Sequence, residues 1–235
     1  MSTVFPTDGP TWLERRTIFL TRAGSQAYGT ALPTSDLDIR GIAVAPREYY
    51  LGFAHRFQQA VFMKPEDLTV FELQKFFRLA SACNPNVLET LFTLPRDHLL
   101  VTHYGQMVLE KRDLFLSRVA AKTFVGYAHG QIRRLQSKLN PDGSYDTKNA
   151  MHVVRLLREG KELLETGKVN VFRQDREELL AIRAGAWSLV DLLAYAAEAT
   201  ADLDRAVLKS PLPVKPDLEK LDELCRHVVE LAIGM

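Results

Sequence analysis

Two aspartates separated by a single residue follow a Gly-Ser pair near the start of the chain. Gly24 and Ser25 end a short β-rich run, ten residues intervene, and Asp36-Leu37-Asp38 follows. Because side chains two apart in a strand point to the same face, Asp36 and Asp38 are predicted to project together and to bind Mg²⁺ or Mn²⁺. Two such ions about 3.5–4 Å apart neutralise a triphosphate and align the attacking oxygen. The spacing is typical of a site for phosphoryl or nucleotidyl transfer.

The Gly-Ser pair and the loop after it are predicted to contact phosphates. Gly24 lets backbone approach a phosphate without a Cβ in the way, and the amide and hydroxyl of Ser25 are expected to donate to phosphate oxygens. Ser35 lies in the connecting loop and completes the nucleotide-binding set predicted there. An isolated Asp-x-Asp pair is common on exposed strands and turns. It is the combination with Gly-Ser that favours a functional interpretation.

Strands must position these residues, and the first half of the chain contains several strand-like segments. Residues 17–21 form a β-rich run that stops at Gly24, and a loop is expected after it. Residues 38–44 alternate polar and apolar and predict a second strand, and 57–63 predict a third. The segment 67–71 suits a strand, whereas apolar residues recur at helical spacing from Leu73 to Ala80. A strand is therefore predicted to change into a helix here.

Strand signals almost vanish after residue 118. A helix is expected from Tyr104 to Arg118, and Asn84-Pro85 is typical of a helix start in which Glu89 has a packing role. Further helices are predicted over 119–139, 148–165, 176–183, 188–207 and 218–231. The chain is therefore expected to form an α/β domain over 1–118 and a helical domain over 119–235.

Composition excludes some classes of protein. Thirty basic and 29 acidic side chains give a net charge of +1, which argues against a surface that binds nucleic acid throughout and leaves a local basic groove open. The sequence shows neither a secretory signal nor a long apolar run, so a cytoplasmic protein without a membrane partner is expected. Cys83 and Cys225 are too few and too far apart for a disulfide framework or a zinc site.

Three side chains that could bind phosphate recur in the helical half. Lys148, His152 and Arg155 fall at i, i+4 and i+7, which places them on one face of a helix. Such a face can contact a triphosphate or a nucleic-acid phosphate. The same spacing is also found on ordinary solvated basic faces, so the pattern alone leaves both interpretations open.

The segments around these residues resemble a known family. Gly-Ser, a spacer and Asp-x-Asp resemble the DNA polymerase β-like nucleotidyltransferase superfamily. The stretches Gly24–Gly29 and Ser35–Gly41 are similar to the YcgL/RlaP type of predicted nucleotidyltransferases, some of which are linked with RNA repair. Later residues agree with the resemblance: Lys75-Phe76-Phe77, Asn84-Pro85-Asn86 with Glu89, and Lys148 through His152 and Arg155 to Arg158. The resemblance implies an α+β protein, with a polymerase β-like mixed sheet and helices followed by a C-terminal helical bundle.

The resemblance also implies a third carboxylate on a neighbouring strand. Asp67 is the best-placed candidate for this metal-binding and catalytic role. Glu72 and Glu66 are alternatives, because Thr69 and Glu72 also fit a helix-capping box, in which case Asp67 only precedes a helix.

The implied activity is the transfer of a nucleoside monophosphate from a nucleoside triphosphate to an acceptor hydroxyl with Mg²⁺ or Mn²⁺. In RNA repair the acceptor would be an RNA 3′ end. A nucleotide-binding regulator without transfer activity, or an enzyme that modifies a protein or a small molecule, fits the same residues.

Overall fold

A computed structural model describes residues 5–6, 9–63, 66–139 and 144–234 of the chain. Its strands are β1 (Thr17–Arg22), β2 (Asp38–Ala43), β3 (Gln59–Phe62), β4 (Asp67–Glu72) and β5 (His98–Val101). Its helices are α1 (Leu13–Arg16), α2 (Gly24–Tyr28), α3 (Arg47–Leu51), α4 (Leu73–Ser81), α5 (Pro85–Leu88), α6 (His103–Glu110), α7 (Val119–Ser137), α8 (Thr147–Thr166), α9 (Arg176–Arg183), α10 (Leu189–Lys209) and α11 (Leu218–Ala232). Short 3₁₀ turns cover Glu89–Phe92, Pro95–Asp97 and Arg112–Phe115.

The five strands of the described residues form one mixed sheet in the order β3-β4-β2-β1-β5. β2 and β4 are parallel, and the other neighbouring pairs are antiparallel. One face of the sheet carries an apolar core that includes Leu20, Ile39 and Leu68. Because side chains alternate along a strand, Asp38 and Asp67 project from the opposite face. The predicted α+β fold is confirmed.

The segment 67–81 changes from strand to helix as predicted. Thr69 lies inside β4, so the alternative in which Thr69 and Glu72 form a capping box is wrong. The Glu72 carboxylate caps α4 by itself: its Oε2 accepts from the Lys75 backbone N–H at 2.9 Å. Its Oε1 accepts from the Tyr50 hydroxyl at 2.8 Å. Both oxygens of this buried side chain are therefore used in structural contacts.

Replacing Glu72 should lower the free energy of unfolding and leave metal binding unchanged, because Asp38 and Asp67 lie on the other face of the sheet. Glu72→Ala removes the cap of α4 and the acceptor of the Tyr50 hydroxyl, and a lost cap costs about 0.5–2 kcal/mol. Urea unfolding would measure this loss, and Glu72→Gln, which keeps one acceptor oxygen, should lose less. Normal stability in Glu72→Ala together with lost metal binding would instead make Glu72 a ligand.

The sequence does not predict three features of the first half. The residues after Gly24, expected to form a loop, form α2. His98–Val101 form β5, which pairs with β1 at one edge of the sheet. The helix expected from Tyr104 to Arg118 is divided, because α6 ends at Glu110 and a 3₁₀ turn follows. Of these, β5 is a four-residue strand that depends on pairing with β1, far away along the chain.

Two compact units divide the described residues. The first takes residues within 1–81, 86–115 and 217–235, and the second takes 82–85 and 116–216. α11 therefore belongs to the first unit, where it packs against α4 and α6. In the sequence-based division, by contrast, residues 217–235 belong to the helical domain. The amphipathic pattern of α11 predicts a buried face, but it does not show which elements cover that face.

The second unit is helical, and α8 is its central helix, because α8 packs against α7, α9 and α10. Asp146 caps the start of α8 by accepting from the Asn149 backbone N–H at 3.0 Å. Gly167, with φ of 71°, ends it in the left-handed conformation that glycine favours. Across the described ranges, the structure contains no helix with the length and apolar character needed to cross a membrane.

Candidate active site

The carboxylates of Asp38 and Asp67 come from adjacent parallel strands. The two residues are register partners at the starts of β2 and β4. Their successors Ile39 and Leu68 are buried on the other face of the sheet. Since neighbouring strands lie about 4.8 Å apart, the two carboxyl side chains stand next to each other on one face.

Gly24 lies directly against the Asp38 carboxylate. It has φ of +58°, which L side chains rarely adopt, and a Cβ on it would lie 2.0 Å from Asp38 Oδ2. The Ala23 backbone N–H donates to the Asp38 carbonyl at 2.9 Å and ties the start of α2 to the start of β2. A larger residue at position 24 would displace the carboxylate, so only glycine fits this corner.

Ser25 and Tyr28 lie near the two ends of α2, which begins at this corner. The Ser25 hydroxyl is half-buried and forms no hydrogen bond within the described residues, so it is available to donate to a ligand. At the other end of α2, the Tyr28 hydroxyl donates to Glu89 Oε2 at 2.6 Å, and both side chains are buried. Glu89 belongs to the 3₁₀ turn Glu89–Phe92, and its hydrogen bond with Tyr28 fixes the end of α2.

The predicted strand geometry of Asp36 is wrong. β2 begins at Asp38, and Asp36 is an exposed residue of the preceding loop. Ser35 shapes the turn before it: its Oγ accepts from the Leu32 backbone N–H at 2.9 Å, and its own N–H donates to the Leu32 carbonyl at 2.9 Å. The partner that β-pairing places beside Asp38 is Asp67.

The donor set suits a hard divalent cation. Carboxylate oxygens are the ligands that Mg²⁺ prefers, and Asp38 and Asp67 supply them from neighbouring strands, with Asp36 two residues away along the chain. The missing Cβ of Gly24 lets the Asp38 carboxylate pack directly against the start of α2. Within the described residues, no three His, Cys, Asp or Glu side chains already form a metal-binding group. The fit therefore rests on the chemistry of the ligands and on the pairing of Asp38 with Asp67.

Arg40 is a residue of this face to which the sequence analysis assigns no role. Its Nη1 lies 3.5 Å from Asp67 Oδ1 and 3.2 Å from Thr69 Oγ1. The spacing of two residues from Asp38 is the signal that could have placed it on the same face. Its partner on β4 follows only from the parallel register, which the sequence does not show.

Lys148, His152 and Arg155 lie on α8 of the second unit, but they do not form an exposed stripe. Lys148 is exposed, His152 is half-buried and Arg155 is only 2% exposed. Arg155 Nη1 donates to Glu159 Oε2 at 2.7 Å, and Glu159 is fully buried. The interpretation of these three residues as one solvated face is therefore wrong, and their binding to phosphate stays a prediction.

His152 lies near three basic side chains. Burial, with the charges of Arg155, Lys148 and Arg183, lowers the pKa of His152 to about 3. The imidazole is therefore neutral at neutral pH and brings no charge to a phosphate. Lys148 is the exposed cation of this group and the side chain best placed to meet an anion from solvent.

A mixed sheet with aspartates on neighbouring parallel strands, beside the Gly24-Ser25 start of α2 and followed by helices, is consistent with a polymerase β-like protein of the α+β class. The family model described as RlaP, RNA repair pathway DNA polymerase beta family, matches residues 11–227. The chain therefore belongs to the RlaP family. A comparison with curated proteins finds no match.

Proposed function

We propose that this protein is a Mg²⁺-dependent nucleotidyltransferase that moves a nucleoside monophosphate from a nucleoside triphosphate to an acceptor hydroxyl. The observation that carries the proposal is the corner formed by Gly24, Asp38 and Asp67. Gly24 lies directly against the Asp38 carboxylate, and Asp67 is the register partner of Asp38. Membership of a polymerase β family supports the class of reaction.

The proposed reaction is a displacement at the α-phosphorus. The oxygen of the acceptor hydroxyl bonds to the α-phosphorus, the bond from that phosphorus to the oxygen bridging the β-phosphate breaks, and pyrophosphate leaves. The hydroxyl proton passes to the Asp67 carboxylate. Asp67 is assigned this role because it is half-buried at the start of β4, as the register partner of Asp38.

The other residues bind and orient the triphosphate. The absence of a side chain at Gly24 lets phosphate approach the backbone, and the Ser25 hydroxyl and amide donate to phosphate oxygens. Asp36, Asp38 and Asp67 are the residues that would hold Mg²⁺. When bound, Mg²⁺ supplies positive charge that offsets the charge of the triphosphate. Ser35 shapes the loop that carries Asp36.

Residues of α8, in the second unit, are proposed to bind phosphate. Lys148 supplies a charge, and His152 lies one turn further along α8 as a neutral imidazole. Burial and the charges of Arg155, Lys148 and Arg183 lower the pKa of His152, which keeps this imidazole neutral. Arg155 is paired with the buried Glu159 carboxylate, so contact of Arg155 with phosphate would require this pair to open.

An RNA 3′ end is the proposed acceptor. The description of the matched family as part of an RNA repair pathway supports this choice. A terminal ribose supplies the hydroxyl that the proposed reaction needs. Protein hydroxyls and small molecules supply the same chemical group, so the acceptor must be distinguished by experiment.

The test is to incubate the full chain with each α-labelled triphosphate, Mg²⁺ or Mn²⁺, and RNA ending in a 3′ hydroxyl. We expect labelled RNA, with no labelling of the same RNA ending in a 3′ phosphate. Asp38→Asn should abolish labelling, while Asp204→Asn, an exposed carboxylate on α10, should not change it. Label found only on protein or on a small molecule would correct the acceptor. Tight triphosphate binding without any transfer would instead make the protein a nucleotide-binding regulator.

A further inference from the structure

We propose that Arg40 is a positioning residue that holds the Asp67 carboxylate in its metal-binding orientation. The inference rests on the proposed function, since it concerns the same site. Arg40 follows Asp38 by two residues on β2 and therefore lies on the same face of the sheet. Thr69, two residues beyond Asp67 on β4, is its register partner.

The Arg40 guanidinium joins two consecutive side chains of that face. Its Nη1 contacts Asp67 Oδ1 at 3.5 Å and Thr69 Oγ1 at 3.2 Å. The contact engages one oxygen of the carboxylate, and Asp67 Oδ2 accepts no hydrogen bond from the described residues. A carboxylate whose one oxygen is held by a neighbour presents the other in a fixed direction, which is how outer hydrogen bonds orient metal ligands.

Two roles for Arg40 predict effects of opposite sign. A mobile counter-ion would compete with the metal for Asp67 and repel it, so removing that charge would strengthen metal binding. A guanidinium that is fixed in place, which we call a bracket, would orient the Asp67 carboxylate, so its removal would weaken metal binding. Nη1 also contacts the Ile39 carbonyl at 3.5 Å. The Thr69 hydroxyl, at 3.2 Å the nearest of the three oxygens, is a neutral acceptor whose contact with Nη1 does not depend on the charge of Asp67, which favours the bracket.

The test measures the binding of Mn²⁺ alone to the full chain, by titration with the paramagnetic resonance signal of free Mn²⁺ as the readout. Arg40→Gln should weaken the binding of Mn²⁺ by about ten- to a hundredfold, the usual effect of removing an outer-shell partner. Arg40→Lys should recover part of the loss, because an ammonium restores the charge but not the planar fork of a guanidinium.

A second pair of variants changes the contact between Thr69 and the Arg40 guanidinium and leaves residue 40 unchanged. Thr69→Val removes the neutral acceptor and should also weaken the binding of Mn²⁺, while Thr69→Ser keeps the hydroxyl and should not. This pair carries the test if Arg40→Gln does not fold. Arg226→Gln is the charge-matched control, because Arg226 is paired with Asp222 on the exposed surface of α11.

Catalysis gives an independent readout. High Mn²⁺ concentration should restore transfer by Arg40→Gln, since the ligands are intact, and should not restore transfer by Asp67→Asn. Binding of Mn²⁺ by Arg40→Gln and Thr69→Val that is as tight as in the unmodified chain, or tighter, would overturn the bracket and leave the proposed function standing. Failure of the unmodified chain to bind Mn²⁺ would overturn the proposed metal site and the bracket with it.

Discussion

Replacing Asp36 and Asp38 together with Asn should abolish nucleotidyl transfer and the thermal stabilisation by Mg²⁺ with triphosphate. A ligand at 100 times its dissociation constant stabilises a protein by about 2.7 kcal/mol, so the lost shift is large enough to measure. The free variant should be as stable as the unmodified chain or slightly more stable. Asp36 is exposed, and Asn at position 38 has the shape of Asp without its negative charge beside Asp67.

Thermal melting with and without metal and triphosphate measures both parts of this prediction. Glu198→Gln with Asp204→Asn removes the same charge from exposed positions of α10 and should keep the full ligand-induced shift. An Asp36/Asp38 variant that retains the shift, or that fails to fold without ligand, would show that the aspartates are structural. The proposed nucleotidyltransferase site would then lose its main support.

Arg155→Ala should destabilise the protein by about 3–5 kcal/mol, the usual cost of removing one partner of a buried ion pair. The substitution leaves the fully buried Glu159 carboxylate without the guanidinium that contacts it at 2.7 Å. Urea unfolding measures the loss. Arg155→Met with Glu159→Leu removes both charges and should recover most of the stability, because apolar side chains replace a buried pair at little cost.

Lys148→Ala is the contrasting variant on the same helix. Its side chain is exposed, so the substitution should change stability by less than about 0.5 kcal/mol. It should weaken triphosphate binding by about 1.5–3 kcal/mol, the strength of one charge-assisted hydrogen bond. Normal stability in Arg155→Ala, with lost triphosphate affinity, would show that Arg155 binds phosphate directly and that its pairing with Glu159 is dispensable.

The sequence predicts the strands that carry the candidate site, because their signals are local. Residues 17–21 and 38–44 are rich in apolar residues at strand spacing, and both segments form strands of the sheet. The predicted change from strand to helix is also confirmed, since β4 ends at Glu72 and α4 begins at Leu73. The register that brings Asp67 beside Asp38 is not local. It depends on how two segments separated along the chain pair, and the resemblance alone suggested it.

The burial of Arg155 illustrates a different limit of sequence analysis. A spacing of i, i+4 and i+7 identifies a face of α8 but not what covers it. α8 is enclosed by α7, α9 and α10, so side chains around most of its circumference are buried. Glu159, four residues after Arg155, is the local clue, since it is placed to form an ion pair with that residue.

The assignment of α11 to the first unit affects the order in which the protein is built. Arg16, next to β1, donates to the carbonyl of Ala232 at 3.4 Å across 216 positions of the chain. During synthesis, the strands of the sheet are made early, but the first unit is incomplete until α11 has been made. The helical unit lies between them in the sequence and can fold before α11 is available. Such distant contacts slow folding, because a long loop must close before they form. The sheet unit should thus be the last part of a nascent chain to become resistant to protease.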